Sequence, residues 1–401
     1  MMGGAGIVRP FAFMLVLLLS TMSQHISGFP GAAAAPVRPH SDRAAEDGAA
    51  GAGGGFISFV NASALDPPLD RQKAEWCEIL ASMHRVGMDT VIITRLVYLD
   101  ENGEEWSFLQ DMAFDPTERI LTCADELGMK VLIGLWEDVG FDDDCLTEEY
   151  LEDAARKSLT LATEVWDRYH ATHQSFSGWY ISLEPWNIGA DTDSVLWRKI
   201  RLLNGFYRAV TGGFRRLEAG GKAERKLVAV SAYFNPDDQP EWLSPASSVP
   251  SVFAGILRHS GVDVLMVQDG AGLRYPLRGQ SEAVKRQFAR QVREYFTSFA
   301  EACRRTEPPV EMWALLEVFE FDSSTDTYRS APFERLERQM EMVSSAVPGI
   351  RFALFDFYHY MNPVTHDTGS GQDTLNAAHN EERQRLYQHY NAAFSRKRGG
   401  R

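Results

Sequence analysis

Two glutamates, Glu184 and Glu317, each close a short apolar run: Gly178-Trp179-Tyr180-Ile181-Ser182-Leu183 precedes the first and Met312-Trp313-Ala314-Leu315-Leu316 the second. An ionised carboxylate behind a buried run is costly unless it is paired or used, so each is a candidate for acid–base or nucleophilic chemistry. Such a pair is what cleavage of a glycosidic bond requires. One carboxyl must be protonated to release the leaving oxygen, and the other ionised to attack the anomeric carbon or to activate water. Period-2 alternation puts Tyr180, Ser182 and Glu184 on one strand face and Trp179, Ile181 and Leu183 on the other. Pro185 and Trp186 give Glu184 an apolar setting, which raises a carboxyl pKa. Glu184 is therefore read as the acid/base and Glu317 as the nucleophile, with Arg95 expected to hold Glu317 ionised.

These glutamates need a frame that brings distant strand ends together. Short runs rich in Val, Ile, Leu and Phe recur at residues 56–60, 90–94, 130–135, 178–183, 227–233, 262–267, 311–316 and 351–357. Their near-continuous apolarity suits parallel strands covered on both faces. Helical stretches lie between them. Asp115-Pro116 reads as an N-cap with a first-turn proline, and Gly128 as the stop of that helix. Leu69-Asp70 and Gly87 bracket the first helix, and others fall near 147–170, 194–217, 282–304, 332–345 and 381–394. Eight strand–helix repeats predict an α/β chain folded as a single (β/α)8 TIM barrel over residues 55–395, with the glutamates ending its fourth and seventh strands. A doubly wound sheet is disfavoured because no GxGxxG follows the first strand.

In such a barrel, chemistry sits at the C-terminal strand ends. The residues there are Asn61, Arg95, Trp136-Glu137-Asp138, Glu184-Pro185-Trp186-Asn187, Tyr233-Phe234-Asn235, Gln268-Asp269, Glu317, and Asp356, Tyr358 and His359. Acids and amides bond hydroxyls and rings stack on pyranose faces, so the mixture suits a carbohydrate. The expected substrate-binding set is Arg95, Trp136, Trp186, Asn187, Tyr233, Asn235, Gln268, Asp269, Asp356, Tyr358 and His359, with Trp136, Trp186 and Tyr233 as sugar platforms. Glu320 lies off the phase of Glu317 and ranks below it.

Bulk properties narrow the alternatives. With 401 residues, 44% of them hydrophobic, the chain can bury a large core. The net charge of −15, with basic residues bunched only in Arg396-Lys397-Arg398 and Arg401, argues against nucleic acid as a partner. Residues 1–29 read as a signal peptide or N-terminal anchor, because Arg9 precedes an apolar run too short for a comfortable membrane span. Residues 30–54, rich in Ala, Gly and Pro, read as a disordered linker, and residues 396–401 as a basic disordered tail. The expected location is secreted or periplasmic, or membrane-anchored, with any membrane contact confined to the N-terminal segment. Cys77, Cys123, Cys145 and Cys303 lack CxxC spacing. Cys77 and Cys123, on the first two helices, are candidates for a disulfide, and four unpaired thiols are the alternative.

The segments Gly178-Trp179-Tyr180-Ile181-Ser182-Leu183-Glu184, Gly87-Met88-Asp89-Thr90-Val91-Ile92-Ile93 and Val267-Gln268-Asp269-Gly270-Ala271-Gly272 resemble those of a secreted TIM-barrel domain-of-unknown-function family grouped with the glycoside hydrolases. The resemblance spans roughly residues 54 to 395. Glutamate placement is also similar to the clan of retaining glycosidases with catalytic glutamates on strands four and seven. Leu183 stands where that clan usually has Asn, and Asn187 and Asn235 are candidates for the displaced amide. The resemblance implies hydrolysis of an O-glycosidic bond in a poly- or oligosaccharide, without cofactor or metal. HExxH, P-loop and GxSxG motifs are absent, and Asp356, His359 and His366 are too loosely spaced to signal a metal centre. A non-catalytic carbohydrate-binding barrel is the alternative.

Overall fold

The structure, a computed structural model, describes residues 56–60, 69–100, 102–107, 109, 115–221, 224–236, 242–274, 281–322, 327–364 and 373–398. The leader and linker expected within residues 1–54, together with Asn61 and His366, lie outside the described residues.

The architecture is a mixed α/β fold around a curled parallel sheet. Its strands are β1 (Phe56–Val60), β2 (Met88–Ile93), β3 (Lys130–Gly134), β4 (Phe176–Ile181), β5 (Leu227–Ala232), β6 (Val264–Gln268), β7 (Glu311–Glu317) and β8 (Arg351–Phe355). Each is hydrogen-bonded to the next in chain order, and β1 pairs with β2 on one side and β8 on the other. The principal helices are α1 (Leu69–Arg85), α2 (Pro116–Leu127), α3 (Glu148–Tyr169), α4 (Asp193–Gly221), α5 (Val249–Leu257), α6 (Glu282–Arg304), α7 (Phe333–Ala346) and α8 (Asp373–Arg398). Helix α8 continues through residues 396–398, which the sequence reading assigned to a disordered tail. Arg and Lys are good helix formers, and no glycine or proline stops the helix before Gly399.

Local chemistry sets these boundaries. The Asp115 side chain accepts the Glu118 N–H at the start of α2, Pro116 takes the first turn, and Gly128 ends the helix at φ 66°. Thr147 caps α3 in the same way. Strand β4 covers residues 176–181, so pairing starts earlier and stops sooner than the apolar run suggested. Its side chains alternate as the period requires. Trp179 faces outward, its ring 4.7 Å from that of Phe214 on α4 and 6.3 Å from that of Trp166 on α3. Tyr180 faces inward, with its hydroxyl 3.0 Å from Ser231 Oγ on β5.

Two features lie beyond the simple repeat. Strands Val97–Leu99, Glu105–Ser107 and Trp136–Asp138 form a three-stranded sheet just past the ends of β2 and β3. Strands Phe319–Asp322 and Thr327–Ser330 form an antiparallel hairpin directly after β7. Cys77 on α1 and Cys123 on α2 are joined in a disulfide, whereas Cys145 and Cys303 are free thiols.

Candidate active site

Glu184 lies three residues past β4, and the chain around it is pinned. Ser182 Oγ donates to the Thr94 carbonyl across 2.7 Å, tying this segment to the end of β2. The Tyr207 hydroxyl of α4 donates to the Leu183 carbonyl across 2.9 Å. Leu183 thus contributes a backbone carbonyl to this contact, and its side chain is buried. The Glu184 carboxyl is 2.7 Å from the Tyr180 hydroxyl through Oε1 and accepts the Gln268 amide through Oε2 at 2.6 Å. Burial pushes this carboxyl up to about 7, and the negative charge of Glu137 adds to the rise, against the hydrogen bonds from Tyr180 and Gln268.

Glu317 is the last residue of β7 and is equally enclosed. Its Oε2 accepts the Gly272 N–H at 2.5 Å. That contact depends on two glycines. Gly270 turns the chain at φ 64°, and a Cβ on Gly272 would stand 2.4 Å from the Phe319 ring. Burial and the neighbouring charge of Asp269 push the Glu317 carboxyl up to about 7, while Arg274, the Gly272 N–H and Arg335 pull the other way. Consecutive residues at the end of β6 reach both acids: Gln268 bonds Glu184, and Asp269 Oδ1 accepts the backbone N–H of Glu317 at 3.2 Å.

Several expected binding residues have other duties. Arg95 pairs with Glu137 at 2.7 Å, not with Glu317, and its guanidinium lies 4.6 Å over the Tyr98 ring. The reason is register: the added three-stranded sheet sets Tyr98 opposite Glu137, next to the end of β2. Trp136 is no platform. Its strand joins that sheet, leaving the indole 3% exposed beneath Lys157 and beside Tyr150, both on α3. Trp186, 5% exposed, stacks on Tyr233 and meets the edge of Phe141, so of this pair Tyr233 is the more accessible ring.

Asn187 is wholly buried. Its amide donates to the carbonyls of Asn235 and Ser244 and its oxygen accepts the Asn235 N–H, so it staples two loops and supplies no amide to the mouth. Asn235 is half-buried beside it. Asp269 and Asp356 are also fully enclosed. Asp356 caps the short helix Phe357–Tyr360, accepting the His359 N–H, and its other oxygen lies 2.7 Å from His359 Nδ1. Tyr358 stacks on Trp76 at 5.4 Å. Glu320 is held by Arg329 across the hairpin at 2.7 Å.

Tyr180, Ser231, Gly272 and Glu137 also shape the site, although none was in the expected site set. Tyr180 was legible, since alternation puts it on the face of Glu184 one pleat deeper. The Gly272 amide carried no signal beyond its residue type.

Residues 54–367 match the family described as a domain of unknown function, DUF4434. No curated protein matches the chain. A candidate alpha-L-fucosidase from Bacteroides thetaiotaomicron is similar in structure over 85% of this chain and 95% of its own, with a TM-score of 0.58 and 20% identity. The glycoside hydrolase domain of PgaB (BpsB) from Bordetella bronchiseptica matches 75% of this chain and 93% of its own at a TM-score of 0.47 and 12% identity. The GH99 endo-alpha-mannosidase from Bacteroides thetaiotaomicron matches 86% and 98% at 0.46 and 11%. At 20% identity the likeness to the candidate fucosidase is one of fold.

Proposed function

The chain belongs to the DUF4434 family, and from that premise we propose that it is a glycoside hydrolase cleaving an O-glycosidic bond in a poly- or oligosaccharide. We read its parallel sheet and surrounding helices as a single (β/α)8 TIM barrel. One observation carries the reading: two buried carboxyls, each raised to about 7, one just past β4 and the other ending β7, are tied to the consecutive residues Gln268 and Asp269, which lie between them in the strand order. Carboxyls poised near neutrality can hold or release a proton under ordinary conditions.

In the proposed retaining cycle, Glu184 begins protonated, a state favoured by burial and by the charge of Glu137. Glu317 begins ionised, favoured by the Gly272 N–H and by the charges of Arg274 and Arg335. Its oxygen attacks the anomeric carbon as the glycosidic C–O bond breaks, and the Glu184 proton passes to the departing oxygen. The product of this half is a glycosyl ester on Glu317 and an ionised Glu184. Glu184 then takes a proton from water, whose oxygen displaces Glu317 and restores both groups. Tyr233 and His359, both partly open, are the proposed sugar contacts from the expected set.

The disulfide between Cys77 and Cys123 supports an exported protein, secreted or periplasmic, because such bonds persist in oxidising compartments. No helix among the described residues is long and apolar enough to cross a membrane.

A panel of polysaccharides and aryl glycosides tests the reading. Hydrolysis by the wild type, lost in Glu184→Gln with glycan binding retained, is the expected result. The first product, followed by NMR before mutarotation, should keep its anomeric configuration. Inversion would make Glu317 a base acting on water, and binding without turnover across the panel would leave a carbohydrate-binding protein.

A further inference from the structure

Helix α7 carries two polar residues one turn apart, Arg335 and Gln339, that are buried among apolar neighbours such as Leu336 and Val343. Enclosing a guanidinium and an amide is costly where polar atoms go unpartnered, as Gln339 Oε1 does among the described residues. Their partners converge on one place. Arg335 donates to the carbonyls of Ala271 at 3.0 Å, Glu317 at 2.6 Å and Phe319 at 2.5 Å. Gln339 Nε2 donates to Asp269 Oδ2 at 2.5 Å and to the Glu317 carbonyl at 3.1 Å. Asp269 Oδ1 closes the set by accepting the N–H groups of Ala271 at 3.1 Å and Glu317 at 3.2 Å.

We propose that Asp269, Arg335 and Gln339 form a clamp that positions the Glu317 carboxylate, acting through the backbone on both sides of it. The clamp grips the backbone N–H and C=O of Glu317 itself. It also grips both backbone groups of Ala271, whose neighbour Gly272 aims its N–H at the carboxylate. Asp269 thereby serves as an organiser of the mouth and not as a contact for sugar. A clamp serving the fold alone would not need to converge on a residue whose side chain the proposed mechanism uses. The inference rests on the reading that Glu317 reacts.

The test reads Glu317 directly. Glutamate labelled with 13C at the carboxyl is incorporated, and the Glu317 resonance is identified by its loss in Glu317→Gln. Its titration is compared in wild type, Gln339→Met and Arg335→Lys, together with thermal unfolding. The groups facing this carboxyl are Asp269 just past β6, Arg274 of the short helix after it, Arg335 of α7, the Gly272 N–H and the Tyr360 phenol. In cooperatively folding Gln339→Met, the Glu317 midpoint should rise by about half a unit or more, roughly a threefold change in acid dissociation, as the Gly272 donor loosens. The Glu184 midpoint should stay. With a glycan substrate in hand, kcat should fall with KM held. An unmoved Glu317 midpoint in the folded variants overturns the clamp. Should Gln339→Met fail to fold, the midpoint in Arg335→Lys decides alone, a rise supporting the clamp and constancy defeating it. The titration uses no sugar. A shift without turnover on the glycan panel therefore defeats the hydrolase reading, and turnover without a shift defeats the clamp.

Discussion

Gln268 donates its side-chain amide to Glu184 Oε2 across 2.6 Å, inside a site where both residues are nearly sealed from solvent. The amide belongs to β6 and the carboxyl to the chain beyond β4, so the bond spans the intervening β5. A donor aimed at a carboxylate stabilises its ionised form. The amide therefore limits how far burial can raise Glu184, leaving it poised instead of permanently neutral.

Gln268→Leu should move that balance. A hydrogen bond to a charged group contributes about 1.5–3 kcal/mol, so its loss should raise Glu184 by about one unit or more above its present value. If Glu184 is the proton donor, the alkaline limb of the kcat profile shifts upward with it. A limb that stays in place would place the titrating acid elsewhere.

Stability should fall as pH rises through the range between about 4.5 and about 7. The two glutamates titrate at about 7 when folded, against an ordinary value of 4.5. Between those values the native state holds more protons than the unfolded chain, so the cost of ionising buried carboxyls is absent below the window and complete above it. Relative to wild type, Glu184→Gln or Glu317→Gln should gain roughly 2–3 kcal/mol on going from acid to neutral conditions. Urea unfolding midpoints at the two ends of the window measure the difference, and parallel pH dependence of mutant and wild type would contradict it.

The Arg95–Glu137 pair should behave as a unit. Both side chains are buried, at 8% and 5% exposure, and they meet at 2.7 Å. Arg95→Leu removes the partner that offsets the burial of the Glu137 carboxyl, which should cost about 3–5 kcal/mol. Adding Glu137→Leu should recover a large part of that loss, because the stranded carboxyl goes too. Chemical denaturation of the two singles and the double forms the cycle. Simple additivity would mean that the two groups are not coupled.

Gly272→Ala tests the close approach behind Glu317. The added Cβ would collide with the Phe319 ring, which is itself set against Tyr360 and Phe355. Overpacking of this kind costs typically about 1–3 kcal/mol. Activity should fall further than stability predicts, because the displaced turn carries the N–H that meets the carboxylate. Wild-type kinetics in a destabilised variant would show that this donor is dispensable.

What could be read from residues alone was whatever repeats or caps locally. The apolar runs and the Asp115, Pro116 and Gly128 signals announced their elements because each is decided within a few residues. Glu184 and Glu317 stood out because a carboxylate after a buried run is a conflict visible in one dimension. Partners were harder. Arg95 finds Glu137 through a small sheet built from three separated segments, and no local pattern announces which of several rim acids a given arginine will meet. Trp136 and Asn187 were misjudged for a related reason. A residue just past a strand may face the mouth or turn beneath a loop, and the choice rests on contacts with Lys157, Tyr150, Ser244 and Tyr295, distant in the chain. Arg335 and Gln339 sat in an otherwise ordinary amphipathic helix.

The covalent link joins Cys77 to Cys123, 46 positions apart in sequence, and the loop it closes includes β2, Arg95 and two strands of the rim sheet. A protease that cuts the backbone once inside this closed loop cannot release a fragment, since both pieces remain tethered through sulfur. Nicked protein would run as one band without reductant and as two with it. The wall of the mouth that carries Arg95 can thus lose chain continuity without losing its attachment.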